Sequence, residues 1–375
     1  MPSSLYLTLL VGPMVPLPAP KPIIDALTSV TVTTSSTGRS GFQLSFTLAD
    51  RSLLQALFLL APPGVELRVV IMVTVNGIPQ VLMDGVMREH EVQPSAGSSG
   101  STMTVTGEDL TATMDLIQMN GLPLPPSPEL RVAAILAKYA VYGVIPEIVP
   151  QFIPDFQLPV EMLPSQEGTD YGYINALAAL CGYVFYIDPG PLPGISRAYW
   201  GPQVKFGLPQ PTLTVNMDSW TNVEQLSFRY APFKGTTPVV TIQNEASGAP
   251  IPIPIPPVTP LNPPLGLIVP PPMRVEQMAE VANKDFGPAL MQGLARASAE
   301  ADVVTGSGSL DVLHYGRVLQ ARQLVGVRGA GPAFDGLHYV DSVTHTIARG
   351  QFRQSFTLTR NALVSSTPVV PAFGL

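Results

Sequence analysis

At 375 residues the chain is too long for one ordinary core, and two or three domains are expected. Only 13% of the residues are charged while 46% are apolar, a dry composition that points to surface hidden in an assembly. A net charge of −7 with no Lys/Arg cluster argues against clamping a polyanion by counterion release.

The N-terminal stretch MPSSLYLTLLVGPMVPLPAP has no basic leader, and Pro13, Pro16, Pro18 and Pro20 break it before it reaches the roughly 20 apolar residues of a membrane span. A first strand over 5–11 is the expected form. Runs of β type follow at 30–34 and 41–48 around a Ser/Thr/Gly turn, and 51–60 could form a short helix. The run 65–75, the Asn76-Gly77 dipeptide and 78–83 read as a hairpin, since Asn-Gly between apolar runs is the strongest short-range signal for one. Further strands are expected at 85–93 and 102–106, with Gly107-Glu108-Asp109-Leu110 leaving into a short helix. Residues 1–112 are thus read as a first β module.

Over 113–211 the pattern turns mixed α+β. Ser127-Pro128-Glu129 has the form of a cap and first turn, followed by Leu130, Ala133, Ile135, Leu136, Tyr139 and Ala140 at helical spacing. A Pro-broken loop leads to a helix over 171–181 that should bury Ile174, Leu177, Ala178 and Cys181; Gly182 stops it and 184–188 returns as a strand. A single cysteine excludes a disulfide framework, so the fold must rest on packing, which fits cytosolic assembly.

A second β module begins with 212–248, where 212–221 and 223–230 alternate. The segment 249–299 then interrupts it. Eleven of the residues 250–272 are proline and none is charged, which predicts polyproline-like chain, neither strand nor helix, in a surface excursion. A helix over 274–299, kinked near Gly287-Pro288, should bury Val275, Met278, Val281, Ala282, Leu290, Leu294 and Ala297. Residues 300–363 complete the module with strands at 305–312 and 318–322 and a closing hairpin, and 364–375 form a tail. In the hairpin, Phe352, Gln354, Phe356 and Leu358 share one face and Arg353, Ser355, Thr357 and Thr359 the other, after the turn at Arg349-Gly350. On the strand before it, Leu337, Tyr339, Asp341 and Val343 alternate with His338, Val340, Ser342 and Thr344.

Two echoes point to duplicated modules. Residues 42–48 and 352–358 share F-x-x-S-F-T-L, and Asp84-Gly85 and Asp335-Gly336 each open a strand, although the two echoes are out of register with each other. Duplication and chance likeness of amphipathic strands both stay open on these residues.

No nucleophile elbow, zincin motif or P-loop is present. Strand alternation sets Glu89 and Glu91 opposite His90, so the three cannot share a metal, and a solvated strand face is the reading. His314, His338 and His345 read as scaffold positions; the last two, seven residues apart, would face opposite sides of a regular strand. Glu167 with Asp170 and Glu108 with Asp109 fall where helix N-termini favour negative charge, so capping outweighs a hydrolytic carboxylate pair. The run Gly326 to Gly331 follows a strand without opening a helix, hence a crossover loop and not a dinucleotide fingerprint. Cys181 lies among Ala178, Ala179, Leu180 and Gly182, which offer nothing to activate a thiol. No catalytic, cofactor-binding or metal residue is assigned.

The block LVGVRGAG…DGLHYVDSVTHTI…GQF-x-QSFTLTR within 323–360 resembles the C-terminal part of the phage late control protein D family, the baseplate hubs of contractile tails and related injection machines. Residues 166–188 with Tyr199-Trp200-Gly201-Pro202 resemble a helix-strand segment of the hub half of type VI spike proteins. The resemblance implies two tail-tube-like antiparallel β-barrel modules with an α+β insert. It also implies a non-enzymatic homotrimer that adapts a sixfold tail tube to a threefold central spike, located in the virion baseplate and assembled in the host cytoplasm. Its partners would be the tube protein, other baseplate proteins and a separate spike protein, because the chain ends at Leu375 soon after the hub signature; no specific nucleic-acid binding and no membrane is expected. A tail-associated peptidoglycan hydrolase and a β-rich surface adhesin are the alternatives.

Overall fold

The computed structural model describes residues 5–48, 66–94, 101–151, 164–243, 250–256, 262–278 and 286–366; the short helix expected at 51–60 lies outside them. The chain opens with β1 (Leu5–Gly12), β2 (Leu17–Pro18), helix α1 (Lys21–Ala26), β3 (Leu27–Ser35), β4 (Gly41–Leu48), β5 (Arg68–Val75), β6 (Ile78–Gln93) and β7 (Ser101–Asp109). Asn76 and Gly77, both at positive φ, make the tight β5–β6 turn that the dipeptide predicts. One expectation needs correcting: 78–93 is a single strand, because Gly85 in its middle lets β6 pass so close to β7 that a Cβ there would stand 2.1 Å from the Glu108 carbonyl oxygen.

The insert begins with a 3-10 turn over Leu110–Asp115, capped by Asp109. It continues through β8 (Leu122–Pro123), α2 (Pro128–Leu136), a second 3-10 turn, β9 (Val144–Ile148), β10 (Ser165–Gln166), α3 (Asp170–Cys181), β11 (Val184–Pro189) and β12 (Ser196–Gly201). In α3 the four expected residues are all buried, and Gly182 in the left-handed region ends the helix. The face of α2 is rotated from its expected position. Arg131, Val132, Ile135 and Leu136 are inside while Leu130 is exposed, since the α-helix stops at Leu136 and the tighter turn beyond it buries nothing.

The last part holds β13 (Gln210–Thr214), β14 (Gln225–Tyr230), β15 (Thr236–Gln243), β16 (Pro250–Pro254), β17 (Arg274–Met278), α4 (Phe286–Glu300), β18 (Val304–Asp311), α5 (Val312–Tyr315), β19 (Leu324–Arg328), β20 (Gly336–Ala348) and β21 (Gln351–Arg360). Three expectations fail here. Pro250–Pro254 is a strand, pairing with β15. It lies at the edge of a three-stranded sheet, and its prolines alternate, so the missing donors fall on the unpaired side while Ile251 and Ile253 remain able to serve the ladder. Residues Arg274–Met278 form a strand parallel to β15, with Val275 exposed, and Pro288 sits in the first turn of α4, where no N–H is missed. Residues 318–322 are irregular, because Leu319 is tied by its own backbone to the Gln354 side chain.

Most strands join in one 13-stranded sheet whose main path runs β14-β18-β21-β20-β3-β4-β7-β6-β5-β1-β2. Within it lie two four-strand blocks built alike. Taken in chain order inside each block, the strands are arranged first, second, fourth, third: β3-β4-β7-β6 in one and β14-β18-β21-β20 in the other. Each third strand is long, pairs in its first half with the strand before it (β5 or β19), and shifts register against the fourth, between Met87 and Glu89 or between Val340 and Ser342. The Asp-Gly echo touches these third strands at different places: Gly336 begins β20, whereas Asp84-Gly85 lies in the middle of β6 and opens no strand. The F-x-x-S-F-T-L echo does not fall on equivalent strands, since β4 is a second strand and β21 a fourth. The blocks meet where β20 pairs with β3 from Ser342↔Ser35 to Ala348↔Ser29.

Candidate functional site: a polar sheet face and its open edges

The apolar side of the joined sheet carries Val30, Val32, Phe42, Leu44, Phe46, Val105, Val343, Ile347, Phe352, Phe356 and Leu358, all buried in one core. Strand periodicity then puts the intervening residues on the other side. Following hydrogen-bonded partners across the first block gives the row Ser29, Ser45, Thr104, Glu91, and across the second Gln225, Ser309, Ser355, Thr344. Neighbouring positions on the same side are Thr31, Gln43, Thr106 and Glu89, and Ser227, Ser307, Thr357 and Ser342. This face is a field of hydroxyls and amides with few charges; Arg353 pairs there with Glu224 at 3.3 Å. Such a surface can be wetted evenly and offers no concentrated charge to hold a passing polymer.

Each four-strand block also has an unfinished edge among the described residues. β14 pairs with β18 and has no partner on its other side among the described residues. β6 pairs with β5 as far as Val86, and Met87 still donates to the Leu67 carbonyl at 2.9 Å; beyond it, through Gln93, the strand is paired on the β7 side alone among the described residues. Unpaired backbone groups in a row are a template for another strand.

Two buried arginines fix the insert against this sheet. Arg68 grips Asp84 through two 2.7 Å contacts and donates to the carbonyls of Tyr142 and Gly194 at 2.8 and 3.1 Å, while Ser196 donates to Asp84 at 3.1 Å. Arg322, at positive φ, pairs with Asp188, donates to the Ser35 carbonyl and stacks 3.8 Å above the Tyr186 ring. It thereby links second block, insert and first block. Sequence reasoning misses both arginines, although a lone Arg in the apolar run LRVVIMV is the signature of a buried charge with a fixed partner.

The side chains that the sequence offers for chemistry scatter. His90 and His314 are exposed, and Glu89 and Glu91 lie on the polar face opposite His90 as alternation requires. His338 and His345 are both buried on the apolar side, not on opposite faces, because the bulge between Val340 and Ser342 resets the alternation. His345 accepts from Gln354 at 3.0 Å, and burial pushes it down to about 4; the His338 ring lies tilted against Phe228, 5.1 Å between centroids, and burial together with the Arg360 charge pushes it down to about 3. Asp109 caps its turn, accepting from Thr111 at 3.0 Å and from Ser40 at 2.8 Å; burial raises its carboxyl, and those bonds with the Arg322 charge oppose the rise. Asp170 lies in the first turn of α3, where negative charge is expected, but is buried and held by Lys138, Tyr139 and Gln166, while the Thr169 hydroxyl caps the helix. Cys181 is buried against Gln151. Among the described residues, no three His, Cys, Asp or Glu side chains gather as metal ligands would, and no helix is long and apolar enough to cross a membrane.

No protein-family model matches the sequence, and the curated proteins compared yield no match either. Solved structures do. A tail protein from Neisseria meningitidis MC58 aligns over 96% of this chain and 98% of its own at 13% identity, with a TM-score of 0.61. The 43 kDa tail protein of prophage MuSo2 from Shewanella oneidensis aligns over 95% and 98% at 15% identity and 0.57. An E. coli type VI secretion component, described as similar to the T4 tail proteins gp27 and gp5, aligns over 91% and 76% at 11% identity and 0.50. The chain has the β-rich fold of phage tail proteins, over nearly the whole length of the Neisseria and Shewanella proteins.

Proposed function

We propose that the chain is a structural baseplate hub of a contractile tail or a phage-derived injection system, a homotrimer that adapts the sixfold tail tube to a threefold central spike. The observation that carries this reading is the pair of four-strand blocks, alike in order and bulge, already joined edge to edge in one sheet. A chain holding two such blocks offers six from three copies, which matches a threefold object to a sixfold one. We divide it into a first tube-like module at 1–112, an α+β insert at 113–211, a second module at 212–248 and 300–363 interrupted by 249–299, and a tail. The polar face would line the conduit and let a polyanion pass without holding it; tube, spike and baseplate proteins would be the partners, in the virion. The role is structural, not enzymatic.

Mass photometry with particle imaging tests this. A trimer, alone or with tube and spike proteins, is expected. A stable monomer that never joins such a complex, or a ring of six whole chains, would overturn it, and carboxylate-dependent lysis of cell walls in a zymogram would revive the hydrolase.

A further inference from the structure

The joint inside the chain specifies what a joint between chains would look like. In the second block the row Gln225, Ser309, Ser355, Thr344 crosses the joint to Thr33. The matching row of the first block begins at Ser29, so the ladder advances by four residues over four strands. A closed barrel requires such a stagger, and one residue per strand is the ratio found in eight-stranded barrels of shear eight, whose strands tilt by about 36°. Applying the same advance at the far end, the first-block row that ends at Glu91 meets β14 four residues beyond Gln225, at Arg229.

We propose that the open half of β6 pairs antiparallel with β14 of a second copy of this chain, in the register that sets Glu91 opposite Arg229, His90 opposite Tyr230 and Val92 opposite Phe228. The proposal rests on the trimeric reading above and adds its contact surface. Three features of the edges support it. Opposite charges fall at the one pair that the internal joint fills with two threonines, Thr33 and Thr344, whose hydroxyls lie 3.1 Å apart. Arg229 has no ion pair among the described residues, and Glu91 has only a 3.1 Å bond from Gln93. On the apolar side Val92 is 42% exposed, whereas the internal residues in the corresponding places, Val32 and His345, are buried. A neighbour's Phe228 would cover it.

The neutral pair sits where covalent connection already guarantees the contact. The charged pair sits where partners must find one another and settle in one register, which is what cross-strand charges can specify. Arg229→Glu and Glu91→Arg in the full-length protein should each abolish the trimer at concentrations where the parent is fully trimeric, because like charges then oppose at every joint. The double exchange should restore it. With Cys181→Ala as background, Glu91→Cys with Arg229→Cys should give covalent dimers and trimers on mild oxidation, and Glu91→Cys with Ser227→Cys should not. Trimers indifferent to either reversal, or crosslinking that prefers the shifted pair, would overturn the register while leaving the trimer standing. A parent chain that never assembles, even beside its tube protein, would overturn both.

Discussion

The two blocks share order and bulge but few residues, and one row of partners shows how that is compatible with a common fold. In the first block the row reads Val32, Phe42, Gly107, Met87; in the second it reads Phe228, Gly306, Leu358, Val340. Where one block sets Phe against Gly, the other sets Gly against Leu. A Cβ on Gly107 would stand 2.3 Å from the Phe42 ring, and one on Gly306 would stand 2.6 Å from the Phe228 ring. In the next row two medium side chains, Leu44 opposite Val105, stand where the second block sets Gly308 opposite Phe356. Close packing constrains the volume of the pair, not of either member. Equivalent strands therefore diverge residue by residue, and the F-x-x-S-F-T-L likeness arises between strands that are not equivalent.

The largest expected effect is at Phe356, which is buried opposite a glycine that cannot fill its place. Phe356→Ala should cost about 3 to 5 kcal/mol in urea unfolding, while Thr357→Ser on the polar face should stay within about 0.5 kcal/mol. Equal losses would mean that the two faces are not packed as differently as described.

The glycines sharpen the comparison at a smaller scale. Gly306→Ala and Gly308→Ala should each cost about 1 to 3 kcal/mol by overpacking. Around Gly306 the close atoms belong to side chains, so Phe228→Leu should recover much of the loss. Beside Gly308 the Gln225 carbonyl oxygen would be 2.5 Å from the new Cβ, and trimming Phe356 cannot move backbone. Equal rescue at both sites would contradict the difference between them.

What can be read from the sequence follows the same physics. Strict alternation places β4 at its observed bounds, Asn-Gly places the β5–β6 turn, and a clean helical period gives the buried face of α3, because each of these signals reports on local structure. The polar face is legible at 352–359 for that reason. The bulges are not, since a bulge is a mismatch between two strands and neither strand alone records it; this misplaces His338 relative to His345. Proline counting fails at Pro250–Pro254 because edge strands need only every second donor. The open edges cannot be read at all, for they depend on which strand ends first.

Acid should separate the blocks further. The second holds His338 and His345 neutral, near 3 and 4, whereas His90 of the first block is exposed. The unfolded chain, with histidines near about 6.5, binds more protons below that pH, so stability rises with pH. This contribution is complete above about pH 6.5 and is lost as pH falls toward about 4, by at most about 1.4 kcal/mol per pH unit for each histidine. Gln354 gives the reason at His345: its amide is fixed by bonds to the Leu319 backbone of 2.9 and 2.8 Å and presents its remaining N–H to the ring, so the ring nitrogen must accept. The difference in urea midpoint between pH 7 and pH 5 should shrink in His345→Leu; an unchanged difference would show that this histidine does not titrate on unfolding.

The smallest effect is expected at the internal joint itself. Thr33 and Thr344 face each other on the exposed side, and the joint's strength comes from the ladder between Ser342–Ala348 and Ser29–Ser35 and from the buried Val32 and His345 behind it. Exposed cross-strand pairs contribute about 0.2 to 1 kcal/mol, and these two strands are brought together by one covalent chain. Thr33→Val with Thr344→Val should change the unfolding free energy by less than about 0.5 kcal/mol, and Thr33→Arg with Thr344→Glu should do no more. The same exchange of side chains at β6 and β14 is expected to decide whether a trimer exists, because there each joint must form between separate molecules. Measured side by side, small changes in urea midpoint at the inner pair and loss of assembly at the outer one would show that identical ladder geometry depends on its side chains only where the chain is not continuous. A loss above about 1.5 kcal/mol at the inner pair would mean that both joints rely on their facing residues, and the distinction between them would fall.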